Sequence, residues 1–379
     1  MKKLISHIIY YYKERMKRLY SIDLLRGLAL AGMILVNNPG DWGNIYLPFE
    51  HAEFAGLTLA DMVFPTFMFV MGFCIPLSFR RFDNKLTKDS SLHVLKRTLM
   101  IFAIGLFLQW MSSGWCEWSH LRIPGVLQRL AISYGIAAII FLSSKRVAVI
   151  TVATIILVGY GFVLYLFNGF EWSEANIISR IDHYLLGAGH LYVDNGIRLD
   201  PEGIFSTLPS IAHVLIGASI ATEYLNIIKD DNLVDEQAKY SKIIKLLLTT
   251  GFTFIMTALG LHLDEHFIVK KIWSPTFVLI TIGIALCVLA LLTYLVDQKK
   301  LSGWWSQFFV IFGKQPLVMY VVAWLLADWF GHWGITWNTY KWLCNFFSPC
   351  TSSLLYALFF VMVNWGVAFL LSKISRTSK

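Results

Sequence analysis

Stretches of about 20 mostly apolar residues recur along the chain, separated by shorter polar segments. A helix of that length crosses the roughly 30 Å of hydrocarbon in a bilayer. A membrane β-barrel would instead alternate polar and apolar residues over segments of about ten residues. The pattern therefore predicts an all-α polytopic membrane protein, a bundle of about ten transmembrane helices, with room for an interfacial helix near 337–347. The predicted spans are 22–38, 61–79, 97–112, 124–142, 147–167, 207–228, 243–261, 274–296, 307–329 and 351–372.

The composition agrees with this class of protein. The 379 residues are 56% hydrophobic and only 15% charged, with a mean hydropathy of +0.60, whereas soluble domains carry about 25% charged residues. Residues 1–20 are basic and aromatic, and no small-residue cleavage site follows their short apolar part, so we expect a cytoplasmic segment and no cleaved signal peptide. A single transmembrane domain over 21–373 and a short cytoplasmic tail over 374–379 complete the predicted organisation.

Lysine and arginine are concentrated in alternate connections between the predicted spans. By the positive-inside rule, this asymmetry places both termini in the cytoplasm of a cell whose cytoplasmic (inner) membrane holds the protein. The net charge of +8 and the isoelectric point of about 9.1 follow from this topology and do not indicate nucleic-acid binding. The basic connections are at 2–18, 80–97, 145–146, 229–245, 299–300 and 373–379.

The loop at 39–60, on the opposite side, carries His51 and several acids but no lysine or arginine. A neutral imidazole can take a proton from an amine or an alcohol near neutral pH. The same position is also typical of a structural interfacial histidine, and from position alone that alternative stays open. Asp41, Glu50 and Glu53 would favour a cationic acceptor such as an amino sugar, although an acidic loop that is simply solvated explains the charge equally well.

The connection at 168–206, on the same side, is also acidic and unusually long. Connections of this length are uncommon unless they cover a site or are disordered. Its many aromatic residues favour an ordered loop.

Several ionisable residues lie inside or at the edge of the predicted spans. Charges in hydrocarbon usually face a cavity or a partner. Asp23 and Arg26, three residues apart on one helical face, are able to pair with each other. Arg129 is the strongest candidate for an anion contact, because its planar fork suits phosphate or carboxylate, and a buried pair is the alternative. Asp61 begins the second span, and Lys314 lies near the cytoplasmic end of the ninth.

The cysteines do not predict a disulfide framework. Cys344 and Cys350 lie in an outward connection, where a disulfide is permitted in an oxidising compartment. The sequence contains no zinc-ligand spacing, no phosphate-binding glycine loop and no serine nucleophile elbow, so we predict no metal site.

Four segments, taken together and in order, resemble the heparan-α-glucosaminide N-acetyltransferase family within the wider group of transmembrane acyltransferases. Two later segments, at 271–277 and 312–317, match more loosely. The four segments are 21–27 with the following Asn37, 51–65 from His51 to Pro65, 122–129 from Arg122 to Arg129, and 199–204.

The resemblance implies that acetyl passes from cytosolic acetyl-CoA to the amine of a terminal glucosamine across the membrane. It also implies that His51 is the catalytic histidine, that Asn37 is the nearby asparagine, and that the protein forms a homodimer. Asp61 would orient the imidazole or hold the second span. We expect Arg129, its neighbour Gln128, Arg26 and Lys314 to contact CoA.

Compared with the lysosomal enzymes, we expect this protein to be without the large N-terminal luminal domain and the span after it, and acids flank its histidine. The acceptor is therefore open among a free amino sugar, a cell-wall fragment and another glycan. His51 would act as a general base or as an acetyl carrier. Two other classes of function stay open, an O-acyltransferase of an exported glycan and a multi-pass sugar transporter.

Overall fold

The computed structural model describes residues 19–233, 235–264 and 266–377, and this part of the chain is helical apart from turns, loops and two isolated β-bridges. The all-α architecture predicted from the sequence is confirmed. The helices are α1 (Tyr20–Val36), α2 (Leu59–Ser78), α3 (Lys88–Ser112), α4 (Val126–Ser143), α5 (Arg146–Leu166), α6 (Ile177–Leu186), α7 (Thr207–Lys229), α8 (Glu236–Leu263), α9 (Pro275–Leu292, continued by a π-helical turn at Thr293–Gln298), α10 (Trp304–Lys314), α11 (Pro316–His332), α12 (Ile335–Cys344) and α13 (Pro349–Thr377).

Nine of the predicted spans each coincide with one helix in the described part of the chain, and the span at 307–329 coincides with two, α10 and α11. Eight of these helices are long and apolar enough to cross a membrane, and the number is nine if α10 and α11, which are bent against each other, count as one span. The remaining predicted span is α1, which has 17 residues. The short helix α12 occupies the position of the predicted interfacial helix.

The span predicted over 307–329 is divided into two helices, because α10 and α11 meet at an angle of 88°. Gln315 between them has φ −135° and ψ 62°, which are not helical values. Pro316 explains this break, since proline disfavours the helical conformation of the preceding residue and has no N–H to donate to the preceding turn.

Close helix contacts in the centre of the bundle depend on glycine. A Cβ atom on Gly72 of α2 would lie 2.2 Å from the carbonyl oxygen of Val214 in α7, and one on Gly217 of α7 would lie 2.6 Å from the carbonyl oxygen of Phe69. Small residues of this kind let two helix backbones approach within a membrane, where packing drives association. The contacts fix α2, whose first turn carries the site described below, against α7.

We call the end of the bundle where α1 ends and α2 begins the His51 end. Gly40 and Asp41 contact Ser353 there, near the start of α13. The helix α13 therefore begins at this end and runs towards the opposite end of the bundle, where α1 begins. The connection at 168–206 is ordered, as its aromatic content predicted, and it includes α6. Together with α5 and the segment between α8 and α9, it forms a second hydrophobic core at this end, whose buried members are Tyr160, Leu164, Ile178, Leu199, Val269 and Ile272.

Candidate active site

The first turn of α2 places a buried carboxylate beside His51. Thr58 precedes the helix and Asp61 is its third residue, a capping-box spacing that satisfies free N–H groups at a helix start. One carboxylate oxygen, Asp61 Oδ2, accepts hydrogen bonds from Thr58 N at 3.2 Å, Thr58 Oγ1 at 3.0 Å and Ala52 N at 3.2 Å. The other oxygen, Oδ1, lies 2.9 Å from Nδ1 of His51.

The His51 imidazole is held at one nitrogen and reachable from outside. The side chain of Asp61 is completely buried, whereas that of His51 is 36% exposed. When Nδ1 carries the hydrogen and donates it to Asp61, Nε2 is left with a free lone pair. The arrangement can therefore supply a base at Nε2, with a ring orientation set by the buried carboxylate.

Lys270 also contacts His51, and the sequence analysis did not identify it as a site residue. Its Nζ lies 2.9 Å from His51 Nδ1 and 3.0 Å from Asp61 Oδ1. The segment 264–274 between α8 and α9 carries it, and Gly56 N donates to the carbonyl oxygen of Ile268 at 2.9 Å, which joins that segment to the His51 loop. The only sequence signal was its position beside the loosely matching segment 271–277.

Asn37 follows the last residue of α1 at the level of the His51 loop. A Cβ atom on Gly32 would lie 2.8 Å from Val63 Cγ1, so these two positions of the antiparallel helices α1 and α2 are at one depth. At about 1.5 Å per residue, Asn37 then lies level with the residues just before α2. Its side chain is exposed and makes no hydrogen bond within the described chain, so its amide is available to a ligand.

The three acids predicted to contact the acceptor separate into two groups. Asp41 accepts hydrogen bonds from Asn44 Nδ2 at 2.5 Å and Gly43 N at 3.2 Å, which lower its pKa, and its backbone binds Ser353. Asp41 therefore orders a turn against α13. Glu50 and Glu53 are exposed and flank His51 along its loop.

Two cavities lie between α1, α2, α3, α4 and α11. One, of about 90 Å³, includes Arg26 and Arg97 in its lining. The other, of about 370 Å³, reaches the His51 end and is lined by Gln109, Gln128 and Trp324 among others. Leu127 and Tyr320 line both cavities. The two cavities therefore adjoin each other at these two residues.

The four residues predicted to contact CoA lie in different surroundings. Arg26 lines the smaller cavity and pairs with Asp23, and Gln128 lines the larger cavity and donates to Gln109. Lys314 ends α10 and is half-buried, next to Gly313, whose backbone packs on Asp23.

Arg129 differs from the other three, because it lines neither cavity. Its side chain is only 1% exposed, donates to Ser206 Oγ, and lies 4.9 Å from the ring centroid of Trp273. Two of its nitrogens, Nε and Nη1, have no hydrogen-bond partner in the described structure. The surroundings are those of a buried cation that joins α4 to the residues before α7.

The third and fourth sequence segments are joined by ion pairs. Arg122 donates to both carboxylate oxygens of Asp200, at 2.8 and 2.5 Å, and to Glu202 Oε2 at 2.6 Å. Bidentate arginine–carboxylate contacts of this kind are strong and geometrically specific. They fasten the connection at 168–206 to the start of α4.

Asp182 of α6 adds a further attachment for this connection. It is completely buried, and its Oδ1 accepts a hydrogen bond from Phe205 N at 3.0 Å. Burial raises its pKa, the hydrogen bond from Phe205 N offsets only part of that rise, and the resulting pKa is about 6.

The five cysteines, including Cys344 and Cys350, are free thiols.

Comparison with known proteins shows the family to which this chain belongs. Residues 18–256 match the family described as heparan-alpha-glucosaminide N-acetyltransferase, catalytic. The heparan-alpha-glucosaminide N-acetyltransferase of Mus musculus is 26% identical over 368 residues, which cover 83% of this chain and 54% of the mouse protein. The Homo sapiens protein of the same name is 28% identical over 364 residues, which cover 80% and 52% of the two chains.

The chain thus spans about half the length of the curated relatives it matches. The matched region contains all four sequence segments and the pair formed by His51 and Asp61. It also contains the residues of α1 to α4 that line the two cavities, whereas Lys270 lies beyond it. Because the match covers more than half of the chain, this chain belongs to the family of heparan-alpha-glucosaminide N-acetyltransferase catalytic domains.

Proposed function

We propose that this chain is an acetyl-CoA-dependent N-acetyltransferase that acylates the amine of a glucosamine or glucosaminide at the His51 end. The observation that carries the proposal is the exposed His51 imidazole, held 2.9 Å from the buried carboxylate of Asp61. This pair lies within the family's matched region.

In the proposed reaction, Asp61 keeps the hydrogen of His51 on Nδ1, so that Nε2 acts as general base. An acceptor that arrives as an ammonium first loses one proton to water, and its neutral nitrogen then attacks the thioester carbonyl carbon, so that a C–N bond forms and the C–S bond breaks. The amine proton passes to Nε2 and then to the departing CoA thiolate. The Asn37 amide, which is exposed at the same level, donates a hydrogen bond to the developing carbonyl oxyanion.

Acetyl-CoA approaches through the two cavities. Arg26 and Arg97 line the cavity farther from His51, where their guanidinium groups suit the phosphates of CoA, and Lys314 adds a cation beside Gly313 at the same end of α1. The pantetheine arm passes Leu127 and Tyr320 towards Gln128 in the larger cavity. Since the smaller cavity has a volume of only about 90 Å³, the arm enters after the surrounding helices separate. Arg129 supports this route by fixing α4.

The His51 end faces the periplasm or the exterior in this proposal. Two features support that side, the concentration of lysine and arginine in the connections at the other end and the direction in which α1 and α13 leave the His51 end. Glu50 and Glu53 then lie on the acceptor side, where their charge attracts a protonated amino sugar.

Acetyl transfer by the detergent-purified protein tests the proposal. Labelled acetyl-CoA is supplied with glucosamine or a glucosaminide, and products are identified by mass spectrometry for wild type and His51→Ala. We expect an N-acetyl product and a rate about 10²–10⁴-fold lower in the variant. His183→Ala, which removes an exposed histidine of α6 at the same end, is the matched control and should retain wild-type rates.

Near wild-type turnover by folded His51→Ala would refute the assignment of the base. An O-acetyl product would instead indicate an O-acyltransferase, and sugar uptake into vesicles without acetyl-CoA would indicate a transporter. Exchange of label between acetyl-CoA and CoA in the absence of acceptor, if it is lost in His51→Ala, would identify His51 as an acetyl carrier.

A further inference from the structure

We propose that Lys270 is a positioning residue for His51, whose ammonium group disfavours a second proton on the imidazole. His51 is thereby kept as a neutral base and readily passes on the proton that it takes from the acceptor. The inference rests on the role proposed above for His51 and extends it to a residue outside the matched region of the family.

The three side chains form a triangle in which each pair is within hydrogen-bond distance. His51 Nδ1 lies 2.9 Å from both Asp61 Oδ1 and Lys270 Nζ, and these two atoms are 3.0 Å apart. An ammonium only donates and a carboxylate only accepts, so Nδ1 cannot be hydrogen-bonded to both at once. With hydrogen on Nδ1, the ring donates to Asp61 while it faces the charge of Lys270.

The position of Lys270 is fixed by its own segment. Val269 N donates to Ser274 Oγ at 3.0 Å, and the side chains of Val269 and Ile272 are completely buried. The Lys270 side chain is 19% exposed. Its ammonium is therefore held in a partly buried site, where a neighbouring charge is screened less than in water.

The adjacent lysine has a different environment. Lys271 Nζ lies 2.5 Å from Asp194 Oδ2 and 4.2 Å from the ring centroid of Trp172. Of the two consecutive lysines, only Lys270 contacts the imidazole. The contact is thus specific to one side chain and is not a general property of a basic loop.

The charged groups around His51 oppose each other. Asp61 faces the ring from α2 and favours the imidazolium, whereas Lys270 faces it from the segment between α8 and α9 and disfavours it. Glu50 and Glu53 flank His51 on its own loop and are exposed to solvent. Because Lys270 also binds Asp61 Oδ1, it neutralises the carboxylate that would otherwise stabilise a doubly protonated ring.

This balance matters for the proposed proton transfer. The proton that leaves the acceptor nitrogen arrives at His51 Nε2 and must continue to the CoA sulfur when the C–S bond breaks. An imidazolium paired with an isolated carboxylate would retain that proton. With Lys270 against Nδ1, the protonated ring is less stable and the transfer to the thiolate is favoured.

The protonation of His51 can be measured without any acetyl transfer. Diethyl pyrocarbonate reacts with unprotonated imidazole, and peptide mass spectrometry resolves the reaction at His51. The rate of its modification is followed from pH 5 to pH 9 in wild type, Lys270→Met and Lys270→Arg. Lys341→Met, which removes an exposed lysine of α12 at the same end, is the matched control.

We expect the midpoint of the Lys270→Met profile to move to higher pH, because this variant lacks the ammonium group that lies 2.9 Å from His51 Nδ1. Lys270→Arg keeps the charge and should stay near the wild-type midpoint, as should Lys341→Met. The acidic limb of the acetyl-transfer rate should move in the same direction. If Lys270→Met does not fold, Lys270→Gln, which is also uncharged but can still donate to Asp61, carries the same comparison.

An unchanged midpoint in the folded uncharged variant would overturn the inference, even if its activity were lower, because a purely structural role does not alter the protonation of His51. Failure of the proposed function gives a different result. In that case the wild-type protein forms no N-acetyl product, or His51→Ala remains active, whatever the modification profile shows.

Discussion

Replacing Asp61 by asparagine tests the part of the site that the geometry describes most fully. Asparagine keeps the size of the side chain but removes its charge. The carboxylate has five contacts within hydrogen-bond distance, of which two, to His51 and Lys270, converge on Oδ1. If the new amide NH₂ faces His51, it donates to Nδ1 and leaves the hydrogen on Nε2, where the base is needed.

The expected magnitude follows from those two contacts at Oδ1. Hydrogen bonds to charged groups contribute about 1.5–3 kcal/mol each, so losing both corresponds to roughly 3–6 kcal/mol. A tenfold change in rate corresponds to about 1.4 kcal/mol. When the whole loss acts on the transition state, kcat therefore falls by about 10²–10⁴-fold, which is the largest effect expected.

The assay compares acetyl transfer to glucosamine by wild type, Asp61→Asn and Asp264→Asn. Asp264 is an exposed acid at the same end of the bundle, so its replacement controls for the loss of one surface charge. Size-exclusion chromatography establishes that each variant is folded. A folded Asp61→Asn protein with a kcat within threefold of wild type would show that the carboxylate does not set the state of His51, and the proposed mechanism would fail.

Three further results are expected. Asn37→Ala should lower kcat by about 10²–10³ with little change in KM for the acceptor, as for other oxyanion donors, and a change in KM alone would contradict that role. Arg122→Met should cost about 3–5 kcal/mol of stability, seen as a lower thermal midpoint, because it leaves the buried Asp200 carboxylate unpaired; an unchanged midpoint would mean that the ion pairs do not hold the loop. Asp182 has a pKa of about 6 in the fold against 3.8 for the free group, so the folded state binds more protons between these values. Its contribution to stability should fall by about 3 kcal/mol as pH rises from about 4 to 6, and denaturation of Asp182→Asn should lack this fall.

The membrane-spanning pattern was readable from the sequence because hydropathy is a local property. Each segment must satisfy its own backbone hydrogen bonds in hydrocarbon, so a run of apolar residues predicts a helix without reference to any other part of the chain. The break at Gln315 and Pro316 was readable in principle from the proline, yet its 88° angle depends on how α10 packs against α1 and could not be predicted locally.

The pair formed by His51 and Asp61 is an intermediate case. Both residues lie in one short segment, and the capping box at Thr58 and Asp61 fixes the carboxylate near the start of α2. The sequence therefore predicted that the two residues belong together, through the resemblance to a family. It left open whether Asp61 orients the imidazole or holds the helix, and the structure shows contacts of both kinds.

The sequence by itself determined the class of protein, the positions of its helices and the segment that carries His51. Only the tertiary structure decided that Lys270, 219 positions away from His51, completes the contacts of the imidazole, and that Arg129 is buried against Trp273 and lines neither cavity. The physical reason is the range of the forces involved. Helix formation in a membrane is dictated within each segment, whereas side chains from distant segments meet only where helix packing and interlocked loops bring them together.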